Sequence, residues 1–197
     1  MFIILRLVIK KILLLHLEVC YDNFMDAKNF KYAYENQGQP SINGVIVINN
    51  QGPWNSRSGG KLMLPLMLDE KDALEKFLAY EKIRGSKISG LRIYTLKDIP
   101  KNGAGDYEFH IYRRKFIMSI RGATEWECED VNGSRKTFII DEMTSILIPP
   151  FVLHKYKALQ DTNSFLALCN TTFDANNKDT QDTYRQAEFL ELQASLA

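Results

Sequence analysis

Glu108 and His110 stand two residues apart in a segment of alternating polar and apolar character. A strand there points both side chains to one face, because successive residues of a strand face opposite ways. A carboxylate beside an imidazole suits proton transfer: the imidazole exchanges protons near neutral pH, and the carboxylate orients it or relays its proton. His154 closes the segment Ile148-Pro149-Pro150-Phe151-Val152-Leu153-His154, read as a strand that ends in a proline pair and then presents an imidazole on restricted backbone. The chain has three histidines in 197 residues, the third being His16 in an apolar leader.

Two imidazoles and a carboxylate are also the ligand type of open divalent metal sites. Arg113, Arg114 and Lys115 follow within a few residues, and cations pointing inward oppose a bound ion. No metal is therefore expected; Glu108, His110 and His154 are the ligands if one binds. The bland alternatives are histidines satisfied by barrel hydrogen bonds and, with Asp106 alongside, a solvated rim carboxylate at Glu108. Arg113 and Arg114 suit a diphosphate, which a guanidinium grips in a fork, with exposed strand-end arginines as the ordinary alternative. Tyr94, Tyr107, Tyr112 and Tyr156 offer a phenolic acid or a stacking surface, whereas Trp126 and Phe138 read as barrel filling.

The elements that must position these groups are mostly strands. Val45–Ile48 reads as a buried strand stopped by Asn49-Asn50-Gln51-Gly52-Pro53, and Gly59–Pro65 as another whose proline implies an edge or an end. A helix is predicted over Asp69–Ile83, with Asp69 as N-cap, an apolar stripe of Leu74, Phe77 and Leu78, and Gly85 to end it. From Leu91 the period becomes two, with strands predicted at Arg92–Leu96, Tyr107–Tyr112, Phe116–Ile120, Thr124–Glu129, Lys136–Ile140, Ser145–Ile148 and Phe165–Cys169. Turns fall at Arg121-Gly122 and at the Asn132-Gly133 hairpin signal. Thr183–Leu192 reads as a closing helix with Phe189 and Leu190 available to dock. Many short, evenly spaced strands point to an all-β sandwich or barrel, with a jelly roll as the natural candidate.

Composition narrows the partners. A formal net charge of +1, no basic stripe and no zinc-finger spacing argue against nucleic acid. Three widely separated cysteines, Cys20, Cys128 and Cys169, make no disulfide framework, so a reducing cytoplasm is expected. Residues 1–24 form an apolar leader broken by Arg6, Lys10, Lys11 and Glu18, which makes a poor membrane span. It reads either as an extra translated leader before Met25 or as a genuine amphipathic or strand-pairing N-terminus. Residues 25–90 then carry the N-terminal strands and the inserted helix, and residues 91–197 the barrel and closing helix.

From Leu91-Arg92-Ile93-Tyr94 to Asp98-Ile99-Pro100, the chain resembles the opening barrel strand of the dTDP-sugar 3,4-ketoisomerase family, small cupins related to the dTDP-4-dehydrorhamnose 3,5-epimerases. The resemblance continues through Phe109-His110, Phe116–Gly122, Leu147–His154, Thr172-Phe173-Asp174 and Tyr184–Leu190, about the C-terminal half to two-thirds of the chain. It implies a cupin double-stranded β-helix, a jelly roll here with an inserted helix and a C-terminal helix. It also implies a homodimer, no cofactor, and isomerisation or epimerisation of a nucleotide-linked 4-keto-6-deoxyhexose in surface polysaccharide synthesis. His110 matches the family's proton-transferring base. Glu108 or a tyrosine would return or relay the proton, and His154 would bind or polarise a sugar oxygen. Tyr94, Tyr112, Arg113 and Arg114 are the remaining candidate substrate contacts. The family's Arg-Gly-x-His-Ala-His-Lys reads Gly105-Asp106-Tyr107-Glu108-Phe109-His110-Ile111 here, so Glu108 replaces the first histidine and Gly105 the arginine. A non-catalytic nucleotide-sugar-binding cupin and a metal-dependent cupin stay open beside the enzyme.

Overall fold

The structure, a computed structural model, describes residues 30–66, 77, 79, 86 and 88–197. The leader and, apart from Phe77 and Ala79, the helix predicted over Asp69–Ile83 lie outside the described residues. The chain divides into two compact units, Met1–Gln39 and Pro40–Ala197. In the first, Phe30–Asn36 is a short helix. No helix among the described residues is long and apolar enough to cross a membrane.

The second unit is built from β1 (Ile46–Asn49), β2 (Gln51–Asn55), β3 (Lys61–Leu64), β4 (Ser89–Ile99), β5 (Glu108–Phe109), β6 (Lys115–Arg121), β7 (Thr124–Asp130), β8 (Arg135–Ile140), β9 (Thr144–Ile148), β10 (Val152–Ala158), β11 (Asn163–Thr171) and β12 (Tyr184–Arg185). Two five-stranded antiparallel sheets, ordered β1-β9-β6-β11-β4 and β12-β5-β10-β7-β8, face each other, and β2 and β3 form a separate ribbon. Strand β7 shows why the sequence folds so. Thr124, Trp126, Cys128 and Asp130 are buried while Glu125, Glu127 and Glu129 between them are not, which is the period-two pattern of a sheet with one wet face. Trp126, Ile117, Ile140, Ile146, Ile148, Val152 and Phe165 fill the space between the sheets.

The hairpin turns follow their predicted chemistry. Gly133 has φ of 80° in the β7–β8 turn, and Asp130 accepts hydrogen bonds from the amides of Asn132 and Ser134, both at 3.0 Å. Gly122 has φ of 74°, and a Cβ there would lie 2.5 Å from the Thr162 carbonyl oxygen.

Three predicted boundaries change. The strand expected over Tyr107–Tyr112 is only Glu108–Phe109, because Asp182 takes the amides of Ile111, Tyr112 and Arg113 that a ladder would need. The segment from Ile148 to His154 is a strand end, a Pro149-Pro150 turn and a new strand, so His154 is the third residue of β10 rather than a residue beyond a strand. In that turn Phe151 has φ of 58° and its amide donates to the His110 carbonyl at 2.8 Å. The closing helix runs over Gln186–Leu196 and is preceded by β12, which the sequence pattern does not reveal. The Phe189 ring meets Phe109 at 5.2 Å between centroids, and Phe109 in turn meets Tyr184 and Phe151, so the helix is pinned to β5.

Candidate active site

Glu108 lies opposite His154 of β10 and opposite Arg185 of β12 in the antiparallel ladders, so the three side chains share a face. Lys115 comes from the other sheet. Its Nζ donates to Glu108 Oε1 and, at 3.1 Å, to His154 Nε2, bridging the sandwich. Glu108 Oε1 is 3.8 Å from the Nε2 of both His110 and His154, and the two imidazole centroids are 5.4 Å apart.

The tautomers follow from the partners. His154 Nδ1 lies 2.8 Å from the Val152 carbonyl oxygen, which only accepts, so Nδ1 carries the hydrogen and Nε2 is the lone-pair side that receives Lys115. His110 Nδ1 likewise donates to the Asp182 carbonyl. Arg113 Nη1, 3.3 Å from the same nitrogen, is then a close contact rather than a hydrogen bond, since a guanidinium has only donors and a bare Nδ1 would face the carbonyl lone pair to lone pair. His110 Nε2 is consequently bare, buried and without a hydrogen-bond partner among the described residues.

A cavity of about 170 Å³ opens beside this cluster. Glu108, Lys115 and His154 line its floor, Tyr94, Trp126, Tyr156 and Phe165 its aromatic walls, and Asp106, Lys155 and Arg185 its more exposed mouth. His110 does not line it; its Nε2 sits behind Glu108.

No family model matches the sequence, and no curated protein matches it. Solved structures do match in three dimensions. A 3,4-ketoisomerase from Helicobacter canadensis aligns over 77% of this chain and 98% of its own, with 16% identity and a TM-score of 0.55. A sugar 3,4-ketoisomerase from Thermoanaerobacterium thermosaccharolyticum, determined in complex with TDP, aligns over 79% and 99% with 14% identity and a TM-score of 0.54. RmlC from Streptococcus suis, in complex with dTDP-D-xylose, aligns over 70% and 69% with 19% identity and a TM-score of 0.51. The fold is that of a small cupin.

Within the cupin cavity the charges are sharply ordered. Burial pushes the His154 pKa down, and the Lys115 ammonium adds to it, to about 3. His110 is held well below the usual imidazole range by burial and then by Arg113 and Lys115. Burial raises the Glu108 carboxyl, but the cations around it, Lys115 foremost, outweigh burial and bring it to about 2. Burial lowers Lys115 against the pull of Glu108. At neutral pH the cluster is a carboxylate with an ammonium and two neutral imidazoles.

Glu108, His110 and His154 each offer a donor atom within 4.8 Å of the others, the geometry a metal ion would use. The Lys115 ammonium already bonds two of those three donors, and Arg113 presses on the third residue. A divalent cation would have to displace one fixed positive charge and sit beside another, so the residues present fit a metal poorly.

The arginines correct the sequence reading. Arg113 is buried, with Nε on Thr171 Oγ1 at 3.0 Å and Nη1 on Thr183 Oγ1 at 2.9 Å, so it braces the site from within rather than gripping a ligand at the rim. Arg114 turns its Nη1 to the Phe77 carbonyl at 2.9 Å and does not line the cavity. Tyr112 gives its amide to Asp182 and its carbonyl to Asn170, also away from the cavity, whereas Tyr94 is in its wall. The cations that do border the cavity are Lys115, Lys155 and Arg185. Lys115 shares strand parity with the buried Ile117, a signal that its side chain points inward. Asp182 and Arg185 carry no such local signal.

Proposed function

We propose that the protein is a sugar-nucleotide isomerase or epimerase that moves a proton alpha to the ketone of a nucleotide-linked 4-keto-6-deoxyhexose of the dTDP type. The observation that carries the reading is the bare, buried Nε2 of His110 behind Glu108, beside a cavity floored by a fixed ammonium. The fold shared with 3,4-ketoisomerases and with RmlC supports the same chemistry.

In this reading Glu108, at the cavity floor, takes the proton from the sugar carbon and passes it to His110 Nε2, which becomes an imidazolium beside a carboxylate. Loss of the C3 proton from a 4-ketosugar leaves an enediolate across C3 and C4. Lys115 faces the oxygen on which that negative charge develops, and His154, already bonded to Lys115, contacts a neighbouring sugar oxygen. Return of the proton to C4, with the O3 hydroxyl proton passing to O4, moves the ketone to C3; return to C3 from the opposite face inverts that centre. Tyr94 and Tyr156 in the aromatic wall are the phenols available for the second outcome. The setting is cytoplasmic surface polysaccharide synthesis, and the active form is a homodimer. The edge strand β4, with Leu91 53% and Ile93 60% exposed, supports a second copy.

The test is incubation with dTDP- and UDP-linked 4-keto-6-deoxysugars in deuterated water. Label entering the carbon alpha to the ketone supports the proposal. Binding of the nucleotide sugars with no label would assign a non-catalytic binding cupin instead.

A further inference from the structure

Four consecutive residues around the candidate base are held by one residue about seventy positions away. Asp182 lies between the helical turn Lys178–Thr180 and β12, and is buried. Its carboxylate accepts the amide of Ile111 at 2.8 Å on one oxygen, and those of Tyr112 at 3.0 Å and Arg113 at 2.7 Å on the other. Its main-chain carbonyl accepts His110 Nδ1–H. The side chain thus shapes the turn after β5 while the backbone of the same residue fixes the imidazole proton.

We infer that Asp182 is a positioning residue that locks His110 in the Nδ1–H form and so keeps Nε2 open as the proton acceptor. An imidazole without that carbonyl is free to place its hydrogen on Nε2, where it would block the atom the reaction needs. The carboxylate contributes by holding the 111–113 turn so that the carbonyl and the ring stay in register. Asparagine at this position would turn an amide NH2 toward backbone donors, break at least one of the three bonds, and release that register. The effect on rate rests on the proposed isomerase reading; the tautomer does not.

The experiment is long-range nitrogen-15 imidazole NMR on the full chain, with the His110 and His154 signals assigned from His110→Asn and His154→Gln. Wild-type His110 should show a protonated Nδ1 and a bare Nε2 near neutral pH. In Asp182→Asn the Nε2–H form should appear and kcat for alpha-proton exchange should fall at least about tenfold, as loss of a group orienting a catalytic histidine does, with KM little changed. An Nε2–H tautomer in the wild type overturns the inference even if Asp182→Asn does not fold. A slow Asp182→Asn that keeps Nδ1–H also overturns it, because Asp182 would then act on structure alone. If wild-type protein exchanges no label on any substrate, the isomerase reading falls while the wild-type spectrum still decides the role of Asp182.

Discussion

At the scale of single residues the site depends on which nitrogen and which oxygen face each other, and this makes its predictions sharp. His110→Asn keeps approximate size and hydrogen bonding but cannot take a proton near neutral pH. Exchange should fall by about a hundredfold to ten-thousandfold while nucleotide-sugar binding persists. Retained exchange would show that Glu108 works without His110 as its proton acceptor, or would assign the base to a tyrosine. The pH profile is a second check. An ordinary imidazole base loses activity below its pKa of about 6.5. Here burial keeps both imidazoles neutral well below that value, with His154 at about 3 and Glu108 ionised down to about 2. The exchange rate should therefore stay level as pH falls from neutral through 6.5, as initial-rate measurements across that range would register; a half-loss near the ordinary value would mean that His110 is solvated in the working enzyme.

At the scale of elements, the C-terminal helix matters because of what it pins. Phe189 is wholly buried against Phe109, the residue between Glu108 and His110, and β12 just before the helix pairs with β5. Phe189→Ala should destabilise the protein by about 3–5 kcal/mol through a core cavity. It should also depress exchange activity more than a remote core truncation of equal cost, such as Ile140→Ala, compared by urea unfolding and by rate. Equal activity in the two variants at matched stability would show that helix docking does not position β5. The short β5 itself was not legible. The alternation from Tyr107 to Tyr112 is a genuine strand pattern, but the bonds of Asp182, distant in sequence, capture the amides that would have extended it.

At the scale of the whole molecule, buried ionisable groups tie stability to pH. His154 has a folded pKa of about 3, below the ordinary 6.5. Its contribution is complete above 6.5 and is lost as pH falls toward 3, because the unfolded chain binds the proton first. Glu108, at about 2 against an ordinary 4.5, acts with the same sign, with its loss setting in below 4.5. The urea midpoint should thus decline as pH drops below 6.5, and His154→Gln should flatten the upper part of that slope. An unchanged slope would mean that His154 titrates alike in both states. The proposed homodimer predicts twice the chain mass in sedimentation equilibrium. The sequence alone determined the jelly-roll class, most strands of the sandwich and the two glycine turns, because period-two burial and positive-φ chemistry are local properties that adjacent residues report. It also singled out Glu108, His110 and His154, by strand parity and by rarity of type. Only the tertiary structure decided that Lys115 reaches across to them from the opposite sheet, that Arg113 points inward, and that Asp182 sets the tautomer of His110. Those facts depend on side chains meeting across the sandwich or across long stretches of chain, and no spacing along one strand encodes such a meeting.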